Sequence, residues 1–67
     1  MKKSELYNIV ADMRNYETIT AKEAEKLANN KKLAWYEFDK DEYGRDTLYI
    51  TASLRGEESV SRTLIIA

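Results

Sequence analysis

At Leu33 the apolar residues of this 67-residue chain stop recurring at helical spacing and begin to alternate, and the new period holds to Ile66. A period of two belongs to strands, whose successive side chains point to opposite faces. The run LAWYEFDKDEYGRDTLYITASLRGEESVSRTLII is divided by two glycines, which predicts three strands joined by two turns. A three-residue turn, Glu42-Tyr43-Gly44, uses Gly44 where the backbone must be left-handed. It pairs Asp41 with Arg45, Phe38 with Leu48, Tyr36 with Ile50 and Ala34 with Ala52, so that apolar rows coincide. A slip of one residue would turn one of those rows toward solvent. A second turn at Gly56-Glu57-Glu58 pairs Leu54 with Val60, Ile50 with Leu64 and Leu48 with Ile66, at the expense of placing Arg62 opposite Ala52.

The first thirty-two residues read as two short helices. Ser4 is a candidate cap for the first, and Leu6, Ile9, Val10 and Met13 mark one face that ends near Asn15 or Tyr16. The second is signalled by Thr20-Ala-Lys-Glu23. This is the spacing at which a threonine hydroxyl and a glutamate carboxylate each satisfy an amide at the other's position. Ala21, Ala24, Leu27 and Ala28 form its expected packed stripe. Asn29 and Asn30 end it, and Lys31 and Lys32 suit its negative end.

These elements predict a single α+β domain over residues 1–67, with two short N-terminal helices packed on a three-stranded antiparallel β-meander. A chain of this size leaves roughly 40% of its unfolded surface exposed. It has no cysteine or histidine to supply a disulfide or a zinc site. Self-association is then an economical way to hide apolar surface, and a homodimer is expected. The absence of cysteine, and of any signal-like or spanning apolar run after Met-Lys-Lys, gives a cytoplasmic protein without membrane attachment as the expectation.

With the helices on the Tyr36, Phe38, Ile50 and Leu64 side, the opposite sheet face carries Leu33, Trp35, Tyr49 and Ile65 among threonines and serines. Aromatic residues are enriched at the centres of protein interfaces, which makes this face a candidate contact surface. The strand Leu64-Ile65-Ile66 would expose an unpaired edge. Glu37, Asp39, Asp41, Glu42 and Asp46 make the hairpin acidic, a surface suited to orienting a basic partner. Charge is otherwise mildly divided: residues 1–32 hold seven basic and five acidic groups, residues 33–67 four and seven.

Reaction chemistry has little to build on. Without histidine or cysteine the usual base at neutral pH and the thiol nucleophile are missing, and the serines lack an imidazole partner. Asp39, Asp41 and Gly44 occupy positions one, three and six of a calcium loop. Tyr43 at five and Ile50 at twelve break the pattern, so neither a metal nor a cofactor is expected. The segment TITAKEAEKLANN resembles the opening helix of helix-turn-helix modules, and two helices followed by a hairpin resemble part of a winged helix. That likeness implies nucleic-acid contact through Lys22, Lys26, Lys31 and Lys32, but the strand pattern leaves no room for a recognition helix. The sequence therefore favours a small non-enzymatic protein-interaction module, self-associating, that regulates or inhibits a larger protein. A nucleic-acid-associated regulator is the alternative.

Overall fold

The computed structural model describes residues Met1–Ala67. The chain is α+β, with α1 (Lys3–Asp12), β1 (Thr18–Ile19), α2 (Ala21–Ala28), β2 (Trp35–Lys40), β3 (Asp46–Ala52) and β4 (Val60–Ile66). The sheet is not a three-stranded antiparallel meander. It has four strands in the order β1-β4-β3-β2, and β1 runs parallel to β4. The additional strand is only two residues long, and its partners, Ile65 and Ile66, lie far along the chain. No local period could have revealed it.

The first hairpin has the expected register over β2, with Phe38 opposite Leu48 and Tyr36 opposite Ile50, but the expected Ala34–Ala52 pair does not form, because Ala34 lies before the strand and its amide donates to Thr51 O. Gly44 adopts φ +78°, and the Gly44 amide donates to the Asp41 carbonyl at 3.0 Å to close the turn. The second hairpin departs from expectation by two residues: Leu48 faces Leu64, Ile50 faces Arg62 and Ala52 faces Val60. The cause is a longer loop over residues 53–59, in which the Glu57 amide closes a turn on Leu54 O and Gly56 takes φ +85°. A shift of two keeps every side chain on its predicted face, because the side-chain period is two.

The α2 capping box forms as expected: the Thr20 hydroxyl accepts from the Glu23 amide and the Glu23 carboxylate accepts from the Thr20 amide, each at 3.1 Å. Ser4 does not cap α1. That helix begins at Lys3, after Lys2, with no side chain at its N-terminus, and it ends at Asp12, short of Asn15.

The core is aliphatic. Leu6 and Val10 of α1 pack with Ile19, Ala24, Leu48, Ile50, Ala52 and Leu64, while Met13, Leu27 and Leu33 flank them. Ile9 and Ala21, expected on the packed faces, are exposed. Leu33, expected on the open face, lies before β2 and turns to the core instead.

Arg62, the misfit of the predicted register, has a defined place. Its guanidinium donates to Met13 O (2.7 Å) and Ala11 O (3.0 Å), and also to Ser61 O (2.8 Å). Two of these acceptors lie at the C-terminal end of α1, where carbonyls lack helical partners and partial negative charge collects. No basic residue occupies the last turn of α1 itself. The cation that completes this helix therefore comes from the sheet.

Candidate functional site

Six of the seven aromatic side chains stand at the surface: Tyr16, Trp35, Tyr36, Phe38, Tyr43 and Tyr49. Only Tyr7 packs against the core, and its hydroxyl donates to Glu58 O at 2.7 Å, tying α1 to the β3–β4 loop. A small domain ordinarily uses its largest side chains to bury area. Here the core closes without them.

Three of the exposed rings sit on β2, an edge strand on which every residue is exposed. Alternation sends Trp35, Glu37 and Asp39 to the open face of the sheet and Tyr36 and Phe38 to the helix side. The expectation that Tyr36 and Phe38 would lie beneath the helices fails. They remain 48% and 52% exposed, because α1 packs over β3 and β4 and α2 is anchored through Ala24 and Ala28, leaving a gap beside β2. Their rings meet edge to face with centroids 6.0 Å apart. A groove of about 200 Å³ separates them from α2, lined by Ala21, Ala24, Ala28, Tyr36, Phe38 and Ile66 together with the polar Glu25 and Asn29. It continues past Ala28 and Tyr36 into a wider recess that includes Asn30, Leu33 and Trp35.

On the open face, Trp35 is 58% and Tyr49 39% exposed, and Ile65 is half-buried. Trp35 lies opposite Thr51, Tyr49 between Glu37 and Thr63, and Ile65 beside Thr47 and Thr18. The Thr51 and Ser61 hydroxyls are 2.9 Å apart. The nearby hydroxyls, that of Ser61 first and then that of Thr51, hold the Tyr49 phenol pKa below its ordinary value. Leu33 is not part of this surface.

The acidic hairpin divides by role. Asp41 accepts from the Tyr43 and Arg45 amides at 2.9 and 2.8 Å, and from the Arg45 guanidinium at 2.6 Å. Desolvation pushes its pKa up, but the Arg45 amide and guanidinium and the Tyr43 amide outweigh this and hold it low. Asp46 pairs with Lys40 at 2.7 Å, a hydrogen bond that also raises the lysine pKa. Glu37, Asp39 and Glu42 have no ion pair. No three carboxylates converge to hold a metal ion.

The lysines do not form one patch. Lys22 and Lys26 lie on the exposed side of α2 beside Glu25 and Asn29, whereas the Lys32 ammonium donates to Met1 O and Lys31 occupies the following turn. No helix is long and apolar enough to cross a membrane.

The outer edge of β4, expected to be bare, is covered. The Asn15 carboxamide accepts from the Thr63 amide at 3.0 Å, the Tyr16 amide donates to Thr63 O, Glu17 O accepts from Ile65, and Ile19 O accepts from Ala67. Tyr16 takes φ +66° to turn its amide inward. The sequence signal for this cover is weak: a polar Arg14-Asn15 break followed by one buried isoleucine. No protein-family model, no curated protein and no solved structure matches the chain.

Proposed function

We propose that this chain is a non-enzymatic protein-interaction module that self-associates through its open sheet face and regulates or inhibits a larger protein by occupying its surface. The supporting observation is the position of Trp35 and Tyr49 on a face no helix covers, in a molecule whose aliphatic core is complete without them. Face-to-face packing of two such sheets would bury Trp35, Tyr49 and Ile65 together, with Thr51 and Thr63 between them. Glu37 and Asp39 lie at the rim, where charge governs orientation more than affinity. A cytoplasmic location belongs to the same reading.

Sedimentation over a range of concentrations tests this. The native chain is expected to pass from monomer to dimer, and Trp35→Ala combined with Tyr49→Ala to remain monomeric with an unchanged fold by circular dichroism. A native chain that stays monomeric at millimolar concentration removes the self-association. The nucleic-acid alternative rests on Lys22 and Lys26. It predicts retention on DNA or RNA at low salt, a salt slope reduced by Lys22→Ala and Lys26→Ala, and no effect of Trp35→Ala.

A further inference from the structure

We infer that the β2 edge, together with the groove beside α2, is a docking site for an extended segment of another protein in which aliphatic and basic residues alternate. The site lies along the strand edge and adjoins the open face at Glu37 and Asp39, and its occupant adds a fifth strand to the sheet.

Backbone geometry supplies the first argument. The Asp41 amide donates to Arg45 O at 3.0 Å, and in an antiparallel ladder such hydrogen-bonded pairs recur at every second residue. Asp39, Glu37 and Trp35 therefore direct their amides and carbonyls to β3. Those of Tyr36 and Phe38 point outward, and neither makes a hydrogen bond outside the ladder. The two ends of the edge are closed: the Lys40 amide donates to its neighbour Asp39 at 2.8 Å, and the Ala34 amide turns inward to Thr51 O at 2.9 Å. What remains is a short open interval centred on Tyr36 and Phe38. Exposed edges of this kind are ordinarily blunted or covered.

Side-chain chemistry selects the occupant. Residues of an added strand that pair with Tyr36 and Phe38 project to the same side as those rings, into the groove floored by Ile66 and walled by Ala24 and Ala28. That wall presents the methyl groups of Ala24 and Ala28, with Glu25 and Asn29 beside them, and the methyls suit aliphatic side chains. The intervening residues project to the open face beside Glu37 and Asp39, the two carboxylates of β2, neither of which has an ion pair. Basic residues belong there. Main-chain bonds then supply affinity and the alternating pockets supply specificity, as in other strand additions.

A second copy of β2 fits less well. Two-fold pairing with Tyr36 opposite Phe38 sets Glu37 against Glu37, and pairing Phe38 with itself sets Glu37 against Asp39. Like charges directly opposed across strands are destabilising. Pairing Tyr36 with itself avoids that, but it matches Phe38 with Ala34, whose amide is already bound to Thr51.

The test uses the full chain and an octapeptide of alternating valine and lysine. Amide exchange of Tyr36 and Phe38 is expected to slow at least about tenfold at saturation, the equivalent of about 1.4 kcal/mol, while the amides of Glu37 and Asp39 change little. The same peptide N-methylated on its valines keeps its side chains and charge but is expected to give no protection. Glu37→Gln with Asp39→Asn should weaken binding by roughly two- to tenfold, as expected for exposed pairs. No protection at Tyr36 and Phe38, equal binding of a valine-glutamate peptide, or protection by the N-methylated peptide overturns the proposal. So does protection of these amides that rises with protein concentration in the absence of peptide, which would assign the edge to a second copy.

Discussion

The outer edges of β4 and β2 present the same backbone chemistry, but only the first is covered. Along β4, the segment from Asn15 to Ile19 meets the outward groups of Thr63, Ile65 and Ala67 one after another, using a carboxamide, a left-handed tyrosine, the Glu17 carbonyl and one strand residue, Ile19. Along β2, Tyr36 and Phe38 keep theirs open and are flanked by exposed rings. Burial of one side chain, Ile19, holds the β4 cover in place, and β2 has no equivalent neighbour. A chain able to protect one edge leaves the other free beside an apolar groove.

The largest expected effect follows from removing the anchor of that cover. Ile19→Ala deletes a side chain only 4% exposed, and urea titration should show a loss of about 2–5 kcal/mol. Amide exchange at Thr63 and Ile65 should accelerate more than exchange at Glu37; equal acceleration throughout would mean that Ile19 supports the core and not the edge. Next, Arg62→Met leaves the Ala11 and Met13 carbonyls without their donor and should cost about 1–3 kcal/mol. Because the segment after α1 leads directly into the cover, this change should loosen β1 while leaving β2 unaltered.

Thr20→Ala breaks the capping box that follows β1, with an expected loss of about 1 kcal/mol and lower helicity by circular dichroism. Phe38→Thr preserves strand propensity on the open edge. It should alter stability by under about 1 kcal/mol, since surface changes away from special features are small; a larger loss would show that Phe38 belongs to the core after all. The smallest effect concerns Asp41 at the turn end of β2. Its folded pKa lies below the usual 3.8, so its contribution is present above that pH and disappears as acidification passes through the lowered value. Asp41→Asn should flatten that part of a stability-against-pH curve, and an unchanged curve would exclude this contribution.

What was legible in the sequence had local causes. The first hairpin could be placed to the residue because alternation on both sides of Gly44 leaves one register with matched apolar rows. The capping box was equally readable, since both partners lie within four positions. Long-range causes were not. β1 is recognisable only through Ile65 and Ile66, and Arg62 looks misplaced until the carbonyls of α1 are beside it. The second register slipped because the glycine in residues 53–59 marks a turn without giving the loop its length. Among the candidate interface residues, Trp35 and Tyr49 were placed by alternation alone. Leu33 was misplaced because the strand begins two residues later than its pattern, and the exposure of Tyr36 and Phe38 depended on how far α2 extends across the sheet.

The position of Trp35 has an optical consequence. It is the chain's single tryptophan, more than half exposed, and its neighbours across the strand are polar. Its indole is already hydrated in the folded state, so emission changes little on unfolding and is a poor gauge of stability. The same property makes it a low-background reporter of contact, because a blue shift then requires something to settle over the indole and exclude water.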